Sequence, residues 1–147
     1  MGKVRLLADV LRAFASSSTT DLGEVADDVA RRIGAFFGDA CALVLVDGDG
    51  VPSHLGRWAP DDGWMDRIAS FLPTPGRGFV SGTMTEAVYQ SGRIMVGDEA
   101  TVAAIGARLG VADMGVRGTL VAPIALDDAR MGVLVLLRYR AEGAPYA

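Results

Sequence analysis

Residues 118–140 read GTLVAPIALDDARMGVLVLLRYR, two apolar runs joined by Asp127-Asp128-Ala129. Short apolar runs bounded by turn-forming residues read as strands, and a link this brief joins them as an antiparallel hairpin. The predicted strands are Gly118–Leu126 and Met131–Arg138. Within the second, VLVLL has no polar alternation, the pattern of a strand covered on both faces and therefore central in its sheet. The same pattern recurs at Ala40–Val46, where Asp47-Gly48-Asp49-Gly50 turns the chain into a return strand, Val51–Trp58. Pro52 cannot donate to a ladder, so this return strand belongs at a sheet edge or a bulge.

Helices occupy the remaining stretches. Val4, Leu7, Leu11 and Phe14 alternate three- and four-residue steps, an a/d seam on a helix ending near Ala15. The hydroxyl run 16–20 breaks it. Asp21 and Glu24 form a capping-box-like start for a second helix, Leu22 to about Phe37, with the stripe Leu22, Val25, Val29, Ile33 and Phe36. Gly38 is placed to end it. Pro60-Asp61-Asp62 opens a short helix carrying Trp64, Ile68, Phe71 and Leu72, stopped by Pro73. A glycine-rich loop, PTPGRGFVSG, then leads into a helix from about Val80 to Gln90. A short strand, Arg93–Val96, follows, and residues 97–115 form a connection with a helical turn near Val102–Leu109. The order describes an α+β chain with an antiparallel sheet built largely from two hairpins.

The chain has 147 residues, half of them hydrophobic, and a net charge of −4. That suits one domain with a sizeable core. Without a basic patch there is no electrostatic reason to expect nucleic acid or an anionic membrane surface as partner. The longest apolar runs fall short of a membrane span, and Asp9 and Arg12 interrupt the N-terminal apolar stretch, against a signal peptide. One cysteine, Cys41, excludes an intramolecular disulfide and a multi-cysteine zinc site. These features place the chain in the cytoplasm.

Three pieces in this order resemble a GAF domain, a PAS-related sensory module. The first is LRAFASSSTTDLGEVADDVARRIGAFFGDACALVLVDGDG (11–50). The second is PGRGFVSGTMTEAVYQSGRIMVGD (75–98), and the third is the hairpin 118–140; Pro145-Tyr146 resembles the start of the family's exit helix. The resemblance implies a central six-stranded antiparallel sheet with helices on both faces, and a small-molecule pocket on one of them. It also implies a single regulatory domain, 1–147, without catalysis of its own. The chain stops where family members run on toward a kinase, cyclase, phosphatase or transcription-activating domain. The expectation is therefore a piece of a longer signalling protein, such as a two-component system, covalently linked to an output domain.

Individual residues narrow the chemistry. Gly76, Gly78 and Gly82 fail the dinucleotide fingerprint in spacing and lack the strand that must precede it; the lysine of a P-loop is also missing. Their reading is backbone geometry, with Arg77 and a helix N-terminus left as a weak anion site. His54, the one histidine, could serve as an axial haem ligand, though it reads as a polar edge-strand residue. Cys41 could attach a bilin, but its apolar run reads as packing. Asp98-Glu99 lacks the Asn-Lys partner of cyclic-nucleotide-binding relatives, since the chain has no asparagine. Ser81 misses G-x-S-x-G by one residue, and Asp47 and Asp49 lack the closing Glu of a calcium loop. The candidate pocket residues are Trp58, Trp64, Phe71, Phe79, Met84 and Met95, with Arg77 and Arg117 as polar anchors; the same apolar side chains also suit a plain core. The seam Val4/Leu7/Leu11/Phe14 predicts a homodimer. Two alternatives stay open: a ligand-free dimerisation module, and a haem- or bilin-binding sensor.

Overall fold

The computed structural model describes residues 22–60, 72–79, 81–108, 116–126 and 129–138. The chain forms α1 (Leu22–Phe37), β1 (Ala40–Val46), β2 (Pro52–Trp58), α2 (Met84–Ser91), β3 (Met95–Asp98), α3 (Glu99–Arg108), β4 (Gly118–Leu126) and β5 (Ala129–Arg138). The five strands make one antiparallel sheet in the order β2-β1-β5-β4-β3. The apolar β5 is central, as VLVLL predicts, and the Pro52 strand lies at an edge with a register shift at Leu45/Val46. The α+β class holds, with five strands among the described residues rather than six. The predicted helices at 4–15 and 61–71 lie outside the described residues.

Alternation along β1 and β5 divides the core in two. Cys41, Leu43, Leu45, Leu134 and Leu136 face α1, meeting Ala26, Val29, Ala30 and Ile33. Ala40, Ala42, Val133, Val135 and Leu137 face the other way, toward Leu72, Met84, Val88, Val102 and Ile105. Helices therefore cover both faces. Asp39, almost fully buried, ties the strands together at one end: Arg138 Nε and Nη2 donate to its two carboxylate oxygens, each at 3.0 Å. Such a bidentate, charge-assisted pair fixes orientation as well as distance. It clamps the start of β1 to the end of β5, where Ala40 stands opposite Leu137.

The α1 face is tight. Ala26, Ala30 and Gly34 recur every fourth residue, a spacing that puts small side chains on one line of the helix. The fit tolerates no more bulk: a Cβ on Gly56 of β2 would lie 2.1 Å from the Ala26 carbonyl oxygen, and one on Gly34 2.5 Å from Trp58 Cε3. Glycine inside a strand marks such an approach. At the hairpin tip, Asp47 Oδ1 accepts from the Asp49 and Val51 amides at 2.9 and 3.1 Å, closing the turn.

Several boundaries differ from the sequence reading; β5, for one, starts at Ala129 rather than Met131. Helix α2 begins at Met84 rather than near Val80, because Gly82 has φ 82° and Thr83, extended, serves as N-cap. Thr83 Oγ1 accepts from the Glu86 amide and Glu86 Oε1 from the Gly82 amide, a variant of the capping box. Strand β3 begins at Met95 rather than Arg93, since Gly92 ends α2 in the left-handed region and the Arg93 amide donates to Ser91 Oγ. The expected helical turn is a full helix, α3, starting at Glu99. Asp98 Oδ1 caps it, accepting from the Thr101 amide at 2.8 Å and hydroxyl at 2.7 Å. Those bonds, the backbone one foremost, hold the Asp98 carboxyl below the usual range.

The close approach at Gly56 gives a direct test. Gly56→Ala should destabilise the fold by about 1–3 kcal/mol in chemical denaturation, the usual cost of overpacking. Gly48→Ala, where an added Cβ meets nothing within 4 Å, should change stability by no more than about 0.5 kcal/mol.

Candidate functional site

The face of the sheet opposite α1 contains a cavity of about 40 Å³. Strands β4 and β5 line it with Thr119, Val121, Val135 and Leu137; α2 and its cap bring Thr83, Met84 and Thr85. Leu72 and, from α3, Val102 and Ile105 complete the described lining. Strand alternation places the β4 and β5 residues: Val121 pairs with Val135 and Thr119 with Leu137, so all four point to one face. Capping places the others, since Thr83 must stand at the helix start for its oxygen to reach the Glu86 amide.

The polar atoms of this lining are engaged. Thr119 Oγ1 donates to the Leu136 carbonyl at 2.9 Å. The buried hydroxyls of Thr83 and Thr85 bond each other at 2.8 Å. The threonine methyls help fill the space instead: a Cβ on Gly97 would lie 3.1 Å from Thr119 Cγ2 and 3.2 Å from Met84 Sδ. Gly97, opposite Thr119, thus leaves the room that Met84 occupies.

A second feature flanks α2. Phe79 and Tyr89 stack with ring centroids 5.0 Å apart. Arg130 of β5 lies over the Tyr89 ring at 6.0 Å and donates from Nη1 to the Tyr89 and Gln90 carbonyls. A cation at the carbonyl end of a helix is favourably placed, so Arg130 anchors the C-terminus of α2 to the sheet.

The sequence-derived candidates scatter. Met84 lines the cavity and Phe79 stands beside α2. Met95, opposite Val121, faces the cavity side but is 38% exposed on the edge strand. Trp58 is corrected: opposite Cys41 and against Gly34, it belongs to the α1 face. The two arginines do not converge on the cavity as anchors. Arg117 is exposed and paired with Glu99 at 3.4 Å. Arg77 is exposed in the glycine loop, whose Gly76 amide donates to the Pro52 carbonyl at 2.8 Å. Gly76 and Gly78 have φ of 86° and 88°, with open space around each, so conformation alone explains them. Trp64, Phe71 and the seam Val4/Leu7/Leu11/Phe14 lie outside the described residues.

His54 is also on the α1 side, opposite Leu45, with Nδ1 3.0 Å from Ser53 Oγ. It therefore faces away from the cavity. Among the described residues no three His, Cys, Asp or Glu gather as a metal site would require, and no helix is long and apolar enough to cross a membrane. The sequence offered Met84 but not Thr83, Thr85, Thr119 or Tyr89. The Thr83-x-x-Glu86 capping spacing was the signal available for the first.

Cys41 is fully buried, and desolvation, with a smaller contribution from Asp39, pushes its thiol up to about 12 from 9.0. An inert thiol of this kind packs rather than reacts. A raised folded-state pKa favours the neutral thiol, so its support for folding is complete below pH 9 and fades as pH rises from 9 toward 12. Stability should therefore fall more steeply over that window in the parent protein than in Cys41→Ala. Equal slopes in pH-dependent denaturation would refute this.

The GAF domain family model matches residues 21–146. The structure is similar to the GAF domain of a phosphoenolpyruvate-protein phosphotransferase from Coxiella burnetii, at 17% identity and TM-score 0.57, covering 99% of this chain and 81% of that one. The GAF domain of the Acinetobacter phosphotransferase gives 16% identity and TM-score 0.57, with 97% and 80% covered. A phycocyanobilin-bound GAF domain from a cyanobacterial phytochrome gives 17% and 0.55, with 98% and 84% covered. No curated protein matches the sequence. Identities this low establish a shared fold.

Proposed function

Because the chain belongs to the GAF domain family, whose members are in general sensory or regulatory modules, we propose that it is a non-catalytic regulatory domain switched by a small molecule on the sheet face opposite α1. The observation that carries this reading is the contrast between the faces. Against α1 the backbone contacts leave no space for an added methyl group; against α2 and α3 there is a cavity. A ligand binding there shifts the population toward conformations that accommodate it, by as much as its affinities for the two states differ. Helices α2 and α3 have eight and ten residues and contribute a movable wall. In this proposal the terminal helices pass the change to an output domain such as a kinase, cyclase or transcription activator. The protein works in the cytoplasm, and the seam Val4/Leu7/Leu11/Phe14 pairs two copies.

The cavity volume favours one second reading. About 40 Å³ is far below the ~300 Å³ of ordinary ligand sites. A ligand-free dimerisation module would show such a collapsed pocket. Native mass spectrometry of freshly purified protein separates the two: a retained small molecule supports the sensor, and bare chains throughout support the structural module. Light scattering tests the pairing: Leu7→Glu with Leu11→Glu should convert a dimer to monomers while circular dichroism stays unchanged.

A further inference from the structure

Resting on the proposed regulatory site, we infer that its ligand is a small, uncharged, apolar molecule, and that Met84 sets the size admitted.

The first ground is the hydrogen-bond inventory of the lining. Thr119 spends its one proton on Leu136, the Thr83–Thr85 bond spends one hydroxyl proton of that pair, and Thr83 also accepts from the Glu86 amide. A carboxylate or phosphate in this space would lose its water and gain no cation from the described lining; Arg117 is exposed on Glu99 and Arg77 is exposed in the loop. A buried anion without partners is strongly disfavoured. Water is also poorly held, since it needs two to four polar partners and the rest of the described lining is apolar. An apolar molecule gains contacts here without displacing a hydrogen bond.

The second ground is the wall. Met84 is unbranched and turns about several bonds, the property that lets methionine follow irregular shapes. It sits over Gly97, the position in β3 that has no side chain to oppose it, with Sδ 3.2 Å and Cε 3.4 Å from where a Cβ would be. Val121, Val135 and Leu137 lie on the sheet and are fixed by its ladder. Adaptability therefore rests with Met84. In its present rotamer the cavity suits a particle of a few heavy atoms. With the methionine turned away or shortened, a ring of benzene size becomes admissible, as for the about 150 Å³ cavity known to bind benzene.

Methyl-resolved NMR on the intact chain tests this with xenon, benzene and benzoate as probes. Xenon should shift the Met84, Val121 and Val135 methyls saturably while leaving Val29 and Ile33 on the α1 face unmoved. Benzene should bind at least tenfold more tightly to Met84→Ala than to the parent. Benzoate should shift none of these methyls at equal concentration. Val121→Ile, which adds one methylene, should weaken the xenon response, and Gly97→Ala should do so by crowding Met84, with circular dichroism verifying both folds. The inference is overturned if xenon leaves the cavity methyls unchanged, if benzoate shifts them as strongly as benzene, or if Met84→Ala leaves benzene affinity unaltered. These failures are distinct from that of the regulatory reading. A charged metabolite retained in native mass spectrometry would sink the ligand class and keep the sensor; xenon entry with no molecule retained would do the reverse.

Discussion

The backbone of α1 rests almost directly on the backbone of β2. Where Gly56 passes beneath Ala26, no side chain separates them, and Gly34 gives way to Trp58 in the same manner. Dense packing of this kind transmits strain and resists deformation. It holds β1 and β2 in place, and β1 in turn holds β5 through the ladder and the buried Asp39–Arg138 pair. The central strands thus form a fixed plate.

A fixed plate matters because the opposite face is built differently. Helix α2 is secured at both ends, by the Thr83 cap and by Arg130 on its last carbonyls, and α3 at its start by Asp98. Between these anchors the packing leaves space at Met84. One layer is packed backbone against backbone and the other is held through its helix caps and Arg130.

The sequence made the plate legible and the cavity much less so. Continuous apolar runs at Ala40–Val46 and Val133–Leu137 announced doubly covered strands, and Pro52 announced an edge. Those patterns arise from local rules of pairing and burial. The cavity depends on registers between distant segments: Thr119 meets Leu137 and Gly97 only after the sheet assembles. Trp58 illustrates the gap. It is large and aromatic, as a pocket residue would be, yet strand parity turns it toward α1. Arg117 and Arg77 carry the charge of anchors, but one pairs with Glu99 and the other is exposed in the glycine loop. The start of α2 departs from its helical sequence pattern because Gly82, with positive φ, interrupts it. The Asp98 cap, by contrast, could have been recognised from Asp98-x-x-Thr101 placed directly before a helical stretch.

Hydrogen–deuterium exchange, comparing protein as purified with the same protein stripped by refolding from denaturant, tests the differential response of the two faces most directly. The account predicts slower exchange at Met84–Ser91 and Glu99–Arg108 in the as-purified sample, with α1 and β1 the same in both. Identical exchange in α2 and α3, or a difference confined to α1, would contradict it.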